Sequence, residues 1–152
     1  MGILRADKIT GLGGANAITG SAFFVGGKAT TTSSDYNLGT GDFTVECFVY
    51  FSGKHATLST IFETRSSTSA SDGFLLGRFQ TSGHENKVEL YTDNDYRVTA
   101  DRTVENDTWV HVAVVRASAT TKVYVDGTAY SSTYSDSNNY SNTEIIFGKN
   151  AP

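Results

Sequence analysis

The chain has 152 residues, 12 of them Lys or Arg and 16 Asp or Glu, for a formal net charge of −4. That balance, with no basic cluster anywhere, excludes nucleic acid as the main partner. The single cysteine, Cys47, excludes an intrachain disulfide. No stretch nears the roughly 18 apolar residues of a membrane span, and the first residues hold no apolar run of the signal-peptide kind. The expectation is a soluble product folded in a reducing cytoplasm, large enough to build a core without metal or disulfide.

The first twenty residues differ in kind from the rest. Ile3, Leu4, Ile9, Leu12 and Ile18 stand isolated among small residues, and Gly11, Gly13, Gly14 and Gly20 oppose a helix. This predicts an extended, flexible N-terminal arm over 1–20, joined to a compact domain over 21–152. Such an arm has no means of burying its own apolar side chains. Ile3, Leu4, Ile9 and Leu12 are therefore the candidate partner-anchoring residues, ordered on a neighbouring subunit.

From there the chain reads as strands. Phe43–Phe51 alternates, with Phe43, Val45, Cys47, Val49 and Phe51 on one face and Thr44, Glu46, Phe48 and Tyr50 on the other. The second face is half apolar, which suggests cover on both sides. Further strands are expected at 60–64, 74–80, 87–92 and 96–100, with 74–80 paired to 87–92 and the turn Asp93-Asn94 before the last. Trp109–Ala117 sets Val110, Val112 and Val114 opposite Trp109 and His111, and reads as a central strand. Asp126-Gly127 between 122–125 and 128–130 is the clearest hairpin signal, because a type I′ turn needs positive φ at both positions. Residues 131–142 read as a polar loop, and 144–148 as the last strand. The pattern predicts an all-β sandwich.

Three phrases in order carry a resemblance. Residues 21–27 (SAFFVGG) resemble the opening strand of laminin-G-like, concanavalin-A-like domains. Residues 38–46 (LGTGDFTVE) resemble their second segment. Residues 109–116 (WVHVAVVR) and 123–128 (VYVDGT) resemble their most recognisable strand pair. The resemblance spans 21–149 and implies a jelly-roll sandwich of two antiparallel sheets. The segment 4–14 before such a domain resembles structural proteins of tailed, especially marine, phages. That implies a virion structural subunit, capsid-decorating or tail-fibre-associated, partnered by other virion proteins and copies of itself, and assembled in the host cytoplasm. Domains of this family usually carry one more strand, returning beside the first, and nothing after residue 150 matches it. An open edge beside residues 22–25, filled by a neighbour's arm, is one expectation and a different closure the other.

The chemistry favours binding over catalysis. Glycoside hydrolysis needs two facing carboxylates about 5–5.5 or 6.5–9.5 Å apart, and the Glu-x-Asp-x-x-Glu phrase of the family's glucanases is absent. Glu85 and Glu89 read as solvated surface acids. Cys47 reads as a buried hydrophobe, His55 and His84 as solvated turn residues, and His111 as a partly exposed strand residue. No cofactor is expected. Asp93 and Asp95 are weak calcium candidates, because calcium takes 6–8 oxygens and one turn supplies too few. The alternative function is a lectin-like module for host or surface attachment that binds a surface glycan. Its candidate stacking residues are Tyr96, Tyr130, Tyr134 and Tyr140.

Overall fold

The registers of the fourteen strands among the described residues decide where each alternating face looks. The computed structural model describes residues 2–11, 14–16, 21–24, 27–53 and 56–148, with side chains from 27 onward. In chain order the strands are β1 (Gly2–Gly11), β2 (Gly14–Asn16), β3 (Ser21–Phe24), β4 (Ala29–Thr32), β5 (Phe43–Phe51), β6 (Leu58–Glu63) and β7 (Leu75–Phe79). They continue with β8 (Lys87–Thr92), β9 (Asp95–Val98), β10 (Trp109–Ala117), β11 (Thr120–Val125), β12 (Thr128–Ala129), β13 (Tyr134–Ser135) and β14 (Glu144–Phe147). One short 3₁₀ turn, Ser34–Tyr36, is capped by the Ser33 hydroxyl. The chain is all-β, as expected.

The strands form two antiparallel sheets, which is the jelly-roll sandwich the sequence implied. The eight-stranded sheet runs β12-β11-β10-β5-β1-β2, with β13 beside β11 and β3 beside β1. The six-stranded sheet runs β4-β14-β6-β7-β8-β9. Val45, Val49 and Phe51 of β5 and Val112, Val114, Val123 and Val125 of β10 and β11 form one side of the core. Leu76, Val88, Leu90, Val98, Ile145 and Phe147 form the other. Cys47 sits in this core as expected, and burial pushes its thiol up to about 12.

Gly2–Gly11 is a paired strand of the eight-stranded sheet. Its backbone runs antiparallel to β5 from Gly2↔Phe51 to Thr10↔Thr44, with a register shift between Arg5 and Lys8. Its other edge pairs with β3 (Ile3↔Phe23) and with β2 (Ile9↔Asn16). The opening strand Ser21–Phe24 thus pairs along one edge with β1 of its own chain.

Two tight hairpins follow the turn chemistry expected of them. Asp93 and Asn94 have φ of 52° and 58°, and Asp126 and Gly127 have 50° and 76°. A third, between β10 and β11, places Ser118 at 49° and Ala119 at 55°. Neither residue favours positive φ, and this hairpin is set by its flanking strands. The 131–142 loop contains β13, which pairs Thr121 with Tyr134.

Two buried arginines close the sandwich. Arg116 donates to the carbonyls of Gly39, Gly41 and Asn138 at 2.7, 2.7 and 2.9 Å, all closer than its 3.6 Å approach to Asp136, and lies between the rings of Phe43 and Tyr140. Arg78 donates to the Gly53 and Val104 carbonyls and to Asn106 Oδ1, over the ring of Phe51. A guanidinium's five donors in a fixed fork suit this stitching of carbonyls from separate loops.

Candidate functional site: an aromatic groove on the six-stranded sheet

Residues directly opposite each other in antiparallel strands share a face. Leu76, Val88 and Leu90 face the core, so their alternates face outward. One outward row runs Ile146, Glu63, Leu75, Tyr91, Tyr96 from β14 to β9. Beside it run Thr60, Gly77, Glu89 and then Leu58, Phe79, Lys87. An outward row is ordinarily wet. Here Ile146, Glu63, Leu75, Phe79 and Glu89 are all buried, because two loops roof the sheet.

The first roof is the loop after β6. Arg65 pairs with Glu63 and donates to the Thr68 carbonyl, and its guanidinium lies 5.2 Å from the centroid of the Tyr91 ring. Asn142 ties the loop down by donating to the Thr64 carbonyl at 2.7 Å. The second is the turn between β7 and β8. The His84 backbone N–H donates to Thr81 O at 2.8 Å and Asn86 N–H to Phe79 O at 3.0 Å.

Between the roofs lies a groove of about 280 Å³. Leu58 and Leu75 supply its apolar floor, and Phe79, Tyr91 and Tyr96 its aromatic wall. Gly77 keeps the floor open, since a Cβ there would meet Leu58 Cδ1 at 2.6 Å and Leu75 Cδ2 at 3.1 Å. The rings brace one another edge to face: Phe79 and Tyr96 at 4.8 Å, Tyr91 and Tyr96 at 5.2 Å. Tyr91 donates to Asn94 Oδ1 at 3.1 Å, and the Tyr96 hydroxyl meets Thr81 Oγ1 at 3.0 Å. Polar lining comes from Thr57, Thr68, Thr81, Asn94 and Arg65. Arg65 is the one charged group among the lining residues, and Glu63 beneath it balances the charge. The site is therefore electrically neutral, with rings on one side and hydroxyl and amide partners around the rim.

Beside the groove, Glu89 is fully buried, with Oε2 2.7 Å from His84 Nδ1 and Oε1 accepting from Ala100 N–H at 3.4 Å. Burial holds its carboxyl above the ordinary glutamate range, against the pull of His84. This corrects two expectations, since neither Glu89 nor His84 is a free surface group. Glu85 is exposed, as expected, and His55 lies outside the described residues. His111 is partly exposed, 3.3 Å from Glu46.

Of the four stacking candidates, only Tyr96 lines the groove. Tyr130 and Tyr140 are core residues, with 4% and 1% exposure, and offer no face to a ligand. Tyr134 packs against the core and donates to Asp93 Oδ2 at 2.9 Å. Burial and that bond push its phenol up to about 12. Asp93 also accepts from Asn138 Nδ2, and both Asp93 and Asp95 pair with Arg97. The two weak calcium candidates thus share a guanidinium already. Ile3, Leu4 and Ile9 lie in β1 opposite Tyr50, Val49 and Val45, and Leu12 lies outside the described residues. Phe79, Tyr91 and Arg65 escaped the sequence reading. The one signal for them is the Leu-x-Gly-x-Phe alternation of β7, where an interior strand glycine marks a close approach.

No curated protein matches the chain in sequence. Solved structures match its fold. A carbohydrate-binding module, CBM66, from Bacillus subtilis aligns at 14% identity and a TM-score of 0.54, over 95% of this chain and 87% of that one. The native heptameric SAP-like pentraxin from Limulus polyphemus aligns at 12% and 0.51, over 97% and 57%. Mouse laminin alpha1 domains LG4-5 align at 12% and 0.54, over all of this chain and 34% of that one. Residues 25–152 match the family model described as the concanavalin A-like lectin/glucanases superfamily, of the laminin G type. On its strand order, its two-sheet core and that match, the chain belongs to the concanavalin A-like lectin and glucanase superfamily.

Proposed function

We propose that this chain is a non-catalytic, lectin-like module that binds an uncharged saccharide in the groove of the six-stranded sheet. The observation that carries this reading is the neutral groove itself, with three mutually braced aromatic rings beside threonine and asparagine partners. A sugar ring offers C–H faces that pack on aromatic rings and hydroxyls that exchange hydrogen bonds with such a rim. The two carboxylates nearest the groove, Glu63 and Glu89, are both fully buried and held by Arg65 and His84, which favours binding over hydrolysis. The alignment with a carbohydrate-binding module agrees with this reading. Titration calorimetry against a panel of neutral and uronic oligosaccharides tests it. At least one neutral saccharide binds the native protein and loses affinity in Tyr96→Ala and Tyr91→Ala. Preference for the uronic members, or equal binding by both variants, would refute the groove.

A finer reading makes the module part of a virion, decorating a capsid or a tail fibre, in company with other virion proteins and copies of itself. What supports it is the resemblance of residues 4–14 to phage structural proteins. The mass of the full chain in solution, by light scattering over a concentration series, tests it: an oligomer supports self-association, and a monomer at every concentration opposes it.

A further inference from the structure

We infer that His84 is a positioning residue of the groove: anchored from beneath by Glu89, its imidazole fixes the ring of Tyr96 as the wall on which a ligand stacks. This rests on the groove being the binding site, and it names the device that shapes it. The His84 and Tyr96 rings lie 3.9 Å apart and within 15° of parallel, so the imidazole covers one face of the phenol. Phe79 and Tyr91 meet that phenol edge to face, and Thr81 holds its hydroxyl. His84 is itself fixed twice, by its backbone bond to Thr81 and by Nδ1 on Glu89.

The placement of Glu89 is what makes this a device and not ordinary packing. A carboxyl with no exposed side-chain surface is an expensive way to fill space. Replacing a buried ionic pair by apolar residues of similar volume is often neutral or stabilising. Opposite Glu89 on β7 stands Gly77, which offers no side chain to satisfy it. The other titratable groups that bear on it are Lys87 on its own strand and Tyr130. The carboxylate's side-chain partner is thus the imidazole, and what the imidazole touches is Tyr96. The pair serves orientation at some expense to stability.

The test is a double variant, His84→Leu with Glu89→Leu, compared with His84→Ala and the native protein. Tyr96 ring-flip rates come from NMR of ring-labelled tyrosine, and affinities from the neutral oligosaccharide panel. The expected result is that both variants flip Tyr96 at least tenfold faster, while the ring of Tyr124 on the other sheet is unchanged. The double variant melts at or above the native temperature yet binds three- to tenfold more weakly. A purely structural pair would lose stability and affinity together. Unchanged Tyr96 flipping in both variants would overturn the inference. If no saccharide binds the native protein, the lectin reading fails, and the ring dynamics still decide the positioning role.

Discussion

The two sheets present outward faces made from the same alternation and arrive at opposite ends. On the eight-stranded sheet two large outward side chains of β5 and β10 reach water: Trp109 is 46% exposed and Phe48 42%. They pair across strands, Tyr50 with Trp109 at 5.6 Å and Phe48 with His111 at 5.0 Å. Phe48 is thus open to water where cover was expected. On the six-stranded sheet, loops reach back over the outward face and bury Glu63, Leu75, Phe79 and Glu89. A second face becomes a site when loops roof it, because the roof removes water from polar groups and makes each hydrogen bond count. The open face has aromatic area with no such enclosure.

The largest effect that separates the two faces should come from Glu63→Ala. It leaves Arg65 buried with its carboxylate removed, and breaking a buried pair from one side costs about 3–5 kcal/mol. Trp109→Ala, on the open face, should stay within about 1 kcal/mol. Thermal unfolding of the two variants side by side checks this. Comparable losses would mean that the roof over the six-stranded sheet is not a tightly held structure.

Binding should divide the faces next. Tyr91→Ala should weaken saccharide binding by about tenfold, or roughly 1.4 kcal/mol, through loss of a stacking face and of the ring that Arg65 covers. Trp109→Ala should leave the same affinity unchanged. The reverse result, measured by calorimetry, would move the binding site to the eight-stranded sheet.

How much of this was legible beforehand follows the range of the forces involved. Local alternation located Phe43–Phe51, Lys87–Thr92 and Trp109–Ala117 with the ends the structure gives them. The Asp-Gly and Asp-Asn pairs announced their hairpins, because their φ requirement lies within two residues. The site was legible only at Tyr96. Glu89 looks like any strand glutamate until the 81–86 turn and Ala100 close over it, and those contacts come from outside its strand. Tyr130 and Tyr140 look like surface tyrosines because their neighbours are polar, and both are drawn into the core from loops. Alternation specifies which face a residue takes. It says nothing of what later covers that face.

Glu89 also gives the roofed face a pH signature. Burial raises its carboxyl above the ordinary value of 4.5, outweighing the pull of His84, the Ala100 N–H and Lys87. A raised folded value means that the folded state holds this proton more tightly than the unfolded chain. The stability so gained is fully present below the ordinary value and is lost as pH rises through the raised one. Glu89→Gln removes this group's contribution. Its melting temperature relative to the native protein should therefore improve as pH climbs from the ordinary value of 4.5 through the raised one. A difference that stays level across that window would mean that His84 compensates the carboxylate fully.

The smallest expected effect sharpens the comparison from the other side. Ala119 sits at φ 55° in the β10–β11 hairpin of the eight-stranded sheet, a conformation that glycine adopts without strain and alanine does not. Ser118 beside it is held by its N–H on Asp42 Oδ1 at 2.9 Å, so relief should come at Ala119 alone. Ala119→Gly should stabilise the domain by about 0.5–1 kcal/mol after the added chain entropy of glycine is set against the relieved strain. For a chain of this length that is a rise of about 1–4 °C in melting temperature. The groove lies on the opposite sheet, so saccharide affinity and Tyr96 dynamics should not move with it. If they do, the two outward faces are coupled through the shared core, and the groove's shape depends on more than the loops that roof it.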